Sequence, residues 1–147
     1  MKQPLDSILL VDDENLFHLV FEDACSLLDI SLNLETVSSA DKADQVFKDI
    51  STGSRKKKPD CVFVDLNIIG SSFDGIELVN RINNTYGNGV IIGIISSSND
   101  TIEIEKAKAA GAQFWIVKTD FIEPRLEAFK EDMSGYKART APFKVYA

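Results

Sequence analysis

The sequence predicts an α/β protein, a doubly wound five-stranded parallel sheet with helices on both faces. Three observations carry that prediction. Short apolar runs alternate with longer amphipathic stretches five times along the chain, the pattern of strands joined by crossover helices. The short runs are apolar without polar alternation, as strands are when helices cover both faces. The chain has 147 residues, 44% hydrophobic and 27% charged, an ordinary globular mix long enough for one domain with a substantial core.

The elements follow in order. Residues 7–11 (Ser-Ile-Leu-Leu-Val) read as a buried strand. Residues 15–29 read as a helix, with Leu16, Leu19, Val20, Ala24, Leu27 and Leu28 at helical spacing. Residues 32–37 form the second strand, and 40–50 a helix with Ala43, Val46, Phe47 and Ile50 on one face. A loop, 51–59, separates it from the third strand, 61–64; its Arg55–Lys58 run reads as solvated. Residues 75–86 are helical, with Ile76, Leu78, Val79 and Ile82 on the apolar face, and 90–95 are the fourth strand. Residues 99–110 form a helix capped by Ser98 or Asn99 and stopped by Gly111. Residues 113–117 are the fifth strand and 121–133 the last helix. There is no internal repeat.

Composition excludes several classes. Lys and Arg number 16 against 23 Asp and Glu, a net charge of −7, which disfavours gripping nucleic acid phosphates. The two cysteines, Cys25 and Cys61, form no CxxC pair, which argues against a disulfide scaffold or zinc knuckle and fits a reducing cytoplasm. The longest apolar runs, 8–11 and 90–95, fall far short of the ~20 residues of a membrane-spanning helix. The sequence has neither a signal-peptide hydrophobic region nor a lipidation motif.

In a parallel sheet, ligands bind at the carboxyl ends of strands, so the residues just after each strand are informative. Asp12, Asp13 and Glu14 follow the first strand; Asp65, Leu66 and Asn67 the third; Ser96, Ser97 and Ser98 the fourth; Lys118 the fifth. Convergent carboxylates stay ionised together only around a cation, and a hard divalent ion, Mg²⁺ or Mn²⁺, suits an all-oxygen set. Mg²⁺ is usually shared with phosphate, whose remaining oxygens a lysine and a hydroxyl would hold. The set therefore reads as an aspartate that accepts a phosphoryl group. Each residue has a blander use: Asp-Asp pairs cap helices, serines cap helices, and Trp115 packs on a core strand. The register of Asp65 and Lys118 with Asp12-Asp13 favours the phosphoryl site. His18, on the first helix, reads as solvated, with no ligand set around it.

The ordered set Asp12-Asp13, Asp65, Ser96 and Lys118 closely resembles the receiver domain of two-component response regulators. So do Ala110-Gly111-Ala112 before the fifth strand and Asp74-Gly75 opening the third helix. The resemblance covers residues 6–133 and implies a flavodoxin-like strand order 2-1-3-4-5. It implies Asp65 as phosphoacceptor, Asp13 binding Mg²⁺ directly, Asp12 supporting it through water and Asn67 offering its main-chain carbonyl. Ser96 and Lys118 would contact the phosphoryl group. Trp115 would occupy an aromatic switch position, and Ser97 the small position that leaves the donor room.

The implied function is a single-domain regulator that takes phosphate from a histidine kinase or histidine phosphotransfer protein and catalyses its own phosphorylation and dephosphorylation. It would signal to a downstream protein target, and the family allows a homodimer through the fourth helix, fifth strand and fifth helix. Departures from the family concern Thr119, where proline is usual, and a long 65–74 loop lacking its usual proline. They also include serine for the commoner threonine at 96 and the bulk of Trp115. A haloacid-dehalogenase-type phosphatase would need a second acid at position 67, where Asn67 stands. A flavin or dinucleotide module would need a phosphate loop after the first strand, where the chain is acidic. The serious alternatives are a receiver-shaped docking module that is never phosphorylated, or a receiver segment of a larger regulator or hybrid kinase. Residues 134–147, with Pro142, Phe143, Val145 and Tyr146, read as a short docked tail after a 1–133 receiver, with no output domain.

Overall fold

The structure is a computed structural model that describes residues 5–54, 57–68, 71–85, 89–118 and 122–147. The elements run β1 (Leu5–Val11), α1 (Asn15–Leu28), β2 (Ser31–Val37), α2 (Ala40–Ser51), β3 (Cys61–Asp65), α3 (Gly75–Thr85), β4 (Ile91–Ser96), α4 (Thr101–Ala110), β5 (Phe114–Val117), α5 (Glu123–Lys137) and β6 (Lys144–Tyr146). Every strand pairing is parallel, and the order is β2-β1-β3-β4-β5-β6. The doubly wound sheet is as the sequence pattern predicts, and the order 2-1-3-4-5 is the one the family resemblance implies. The sheet has six strands rather than five, because part of the expected tail pairs with β5. Arg55 and Lys56 of the basic loop, and Thr119 after Lys118, lie outside the described residues.

Alternation along each strand divides the core in two. In β1, Ile8 and Leu10 face α1 and α5, whereas Leu9 and Val11 face α2, α3 and α4. The first layer is aromatic. Phe63 at its centre makes edge contacts with Phe21, Phe129 and Phe114 at centroid distances of 4.9, 5.2 and 5.3 Å. Gly93 on β4 leaves the space that the Phe114 ring fills, since any Cβ there would strike that ring.

The α1 helix forms where periodicity places it, but it buries a different face. Phe17, Phe21, Ala24 and Cys25 are buried, while Leu16, Leu19 and Leu27 are 70%, 65% and 66% exposed. Apolar residues surround this helix, so spacing alone does not select a face; contact with the sheet does.

The last helix runs to Lys137, past the expected end at 133. β6 then lies along β5, with Trp115 opposite Val145. Three residues of strand are held by side chains. The Tyr146 hydroxyl donates to Asp132 of α5 and lies 2.8 Å from the Tyr136 hydroxyl, and Lys144 reaches Asp132 at 3.2 Å. Phe143 packs onto the core layer that contains α4.

Candidate functional site

The parallel register brings the ends of β1, β3, β4 and β5 to one edge. Val11 pairs with Val64, Asp65 with Ile95 and Ser96 with Val117, so Asp12, Asp65, Ser96 and Lys118 emerge side by side. The backbone ties this edge together: Asp12 donates to the Val37 carbonyl at 3.0 Å, Leu66 to Ile95 at 3.2 Å and Lys118 to Ser96 at 2.6 Å. Gly75 lets α3 start against this turn, because a Cβ there would lie 2.5 Å from the Asp65 carbonyl oxygen.

Asp12, Asp13 and Asp65 form the one carboxylate cluster with metal-ligating geometry found among the described residues, each offering an oxygen within 4.8 Å of the others. Asp12 is wholly buried and Asp65 is 8% exposed. Burial pushes the Asp65 carboxyl from 3.8 up to about 6; the charge of Asp12 adds to the rise, Lys118 and the Asn67 amide oppose it, and Asp13 adds further. Lys118 reaches into this acidic group. Its ammonium is 2.8 Å from Asp12 and 3.9 Å from both Asp65 and Glu14, and lies 4.3 Å from the centre of the Phe17 ring. Its nearest partner is thus Asp12, with Asp65 and Glu14 equally distant beyond it.

The remaining expected residues fall around this centre. Asn67 follows Asp65 in the turn, its amide 3.4 Å from a carboxylate oxygen of Asp65. Ser96 is buried, its hydroxyl accepting from the Ser98 amide at 3.1 Å, while Ser97 is exposed at the rim. Trp115 is wholly buried in the layer facing α4, and its indole N–H donates to the Ser98 carbonyl at 3.0 Å. Ser98 therefore links Ser96 to Trp115. The cap of α4 is neither Ser98 nor Asn99 but Asp100, whose carboxylate accepts from Ile102 at 2.8 Å and Glu103 at 3.3 Å. The Ser98 hydroxyl instead accepts from the Asp100 amide at 3.1 Å.

His18 departs from expectation. It is half-buried, and its Nε2 donates to the main-chain carbonyl of Asp12. Its position, one turn into a helix that starts right after Asp12-Asp13, was the available signal, since side chains on a first turn lie back over the preceding residues.

The donor set suits a hard divalent cation: all oxygen, mostly buried, and carrying more negative charge than one lysine balances. No helix among the described residues is long and apolar enough to cross a membrane.

Comparison with known proteins agrees with this geometry. A model of the response regulator receiver domain matches residues 8–128. Among solved structures, the phosphorylated cyanobacterial phytochrome response regulator RcpA is similar at a TM-score of 0.71 and 18% identity, over 92% of this chain and 96% of that one. RPA3017, a response regulator in red light signaling of R. palustris, gives 0.73 and 21%, over 93% and 96%. NtrX from Brucella abortus gives 0.75 and 24%, over 93% of this chain but 28% of that one, so the likeness there is to one segment of a longer protein. No curated protein sequence matches the chain. The match over most of the chain, on a fold with this strand order, establishes that the chain belongs to the receiver domain family of two-component response regulators.

Proposed function

We propose that the chain is a phosphoryl-accepting signalling switch with Asp65 as the phosphoacceptor. The observation that carries this reading is the convergence of the Asp12, Asp13 and Asp65 oxygens within 4.8 Å beside the Lys118 ammonium. Asp12, Asp13, Asp65 and the Asn67 main-chain carbonyl would hold Mg²⁺ or Mn²⁺. When bound, the ion supplies positive charge that offsets the carboxylates and the transferring phosphoryl group.

A carboxylate oxygen of Asp65 attacks the phosphorus of a phosphohistidine; the new O–P bond forms as the N–P bond breaks, and the imidazole leaves. Lys118 and the Ser96 hydroxyl bind phosphoryl oxygens, and water later cleaves the acyl phosphate to restore Asp65. The exposed Ser97 leaves room for the donor at the rim. The donor is a histidine kinase or histidine phosphotransfer protein. The exposed Leu16, Leu19, Val20 and Leu27 on α1 offer it an apolar stripe running from the site.

Output goes to a downstream protein. As Ser96 moves toward the phosphoryl group, Ser98 carries the change to the Trp115 indole and so to the α4–β5–α5 face. β6 covers the edge of β5 there, so a homodimer through that face would present β6.

The test is mass spectrometry after incubation with Mg²⁺ and either acetyl phosphate or a phosphohistidine donor. The parent gains one phosphate and Asp65→Ala gains none. Equal labelling of Asp65→Ala would remove Asp65 from the mechanism, and an unlabelled parent with both donors would favour a receiver-shaped docking module.

A further inference from the structure

We infer that His18 is a positioning residue of the metal site, setting the peptide plane that joins Asp12 to Asp13. The inference rests on the reading that these two carboxylates hold a divalent cation.

The turn after β1 must place two successive side chains on one ion. Asp12 is held from several sides. Its amide donates to Val37 at 3.0 Å, and its carboxylate accepts from the Glu14 amide and the Lys118 ammonium, each at 2.8 Å. Asp13 follows across one peptide bond, so its direction depends on the orientation of that peptide. The oxygen of that peptide is the Asp12 carbonyl, and the contact made to it is the Nε2–H of His18.

Helix α1 enters without the usual clamp: Glu14 at its N-cap makes no side-chain capping hydrogen bond. His18, whose own amide is bonded to the Glu14 carbonyl at 3.2 Å, supplies the tie between the first helical turn and the residues before it. A carbonyl only accepts, so the proton is on Nε2. Without this bond the Asp12–Asp13 peptide has one restraint fewer beside the Glu14 amide on the Asp12 carboxylate, and more of the entropy of fixing Asp13 falls on metal binding.

Side-chain length makes the inference testable. A glutamine at 18 places its amide N–H as many bonds from the backbone as Nε2, whereas asparagine stops one bond short. Mg²⁺ affinity would be measured by calorimetry at one fixed pH for the parent, His18→Ala, His18→Asn and His18→Gln. Thermal midpoints in EDTA would confirm that each is folded. Losing one hydrogen bond predicts Mg²⁺ binding about threefold to tenfold weaker in the Ala and Asn variants, and within about twofold of the parent in His18→Gln. If Ala does not fold, the Asn–Gln contrast carries the test. Parental affinity in the Ala and Asn variants overturns the inference, as does equal weakening in all three, which would assign the effect to the bulk of the ring. A parent that binds no Mg²⁺ overturns the metal reading itself, and this inference with it.

Discussion

Replacing Asp65 by asparagine removes a charge that the folded chain holds at a cost. In the fold the carboxyl titrates near 6 rather than 3.8, chiefly because it is buried and faces Asp12. The difference corresponds to ~3 kcal/mol disfavouring the ionised folded state. The sign follows from proton uptake. Between 3.8 and about 6 the folded chain holds a proton on Asp65 that the unfolded chain has released, so stability falls as pH rises through this window and the loss is complete above it. Asparagine has nearly the same shape and never ionises. In EDTA, Asp65→Asn should therefore be more stable than the parent by ~3 kcal/mol at about pH 7.5 and by ~1 kcal/mol at about pH 4.5. For a domain of this size the larger figure corresponds to roughly 6–12 °C in Tm. Urea unfolding and thermal melts at the two pH values, with and without Mg²⁺, measure it. Saturating Mg²⁺ should narrow or reverse the gap, because the ion rewards the ionised parent more than the variant. A variant no more stable than the parent in EDTA at about pH 7.5 would refute the view that the cluster stores electrostatic strain.

Lys118→Met leaves the wholly buried Asp12 without the ammonium 2.8 Å away and should cost about 3–5 kcal/mol in urea unfolding; a loss below about 1 kcal/mol would mean that backbone donors hold Asp12 unaided. Tyr146→Phe removes the hydroxyl that joins β6 to Asp132 and Tyr136, and should cost about 1–3 kcal/mol and speed amide exchange at 144–146; unchanged protection would show that packing alone seats the strand. Trp115, the single tryptophan, should change emission when beryllofluoride is added with Mg²⁺, and the change should vanish in Ser96→Ala; a spectrum unmoved by saturating beryllofluoride would confine Trp115 to packing.

The carboxylate edge is legible in the amino-acid sequence, because its logic is local. An unbroken apolar run such as 61–64 tolerates a charge only where the strand ends, at Asp65, and a parallel sheet puts all such ends together. Asp12, Asp13, Asp65, Ser96 and Lys118 needed only the order of the strands to be gathered. What tertiary structure decided were choices among locally equal options. Leu16 and Val20 have the same helical spacing as Phe17 and Phe21, and only contact with Phe63 and the sheet selects the aromatic pair for burial. Lys144–Tyr146 is too short to declare itself a strand; the free edge of β5 and the acceptor on Asp132 make it one. Ser98, Asn99 and Asp100 are all capping residues, and the start of α4 at Thr101 gives the role to Asp100, with the Ser98 hydroxyl held by the Asp100 amide instead. His18 looked like a surface residue because its partner is a main-chain carbonyl. Every residue but the last carries a peptide carbonyl, so no pattern of side chains marks the one on which a ring will close; the fold of the β1–α1 turn chose the oxygen of Asp12.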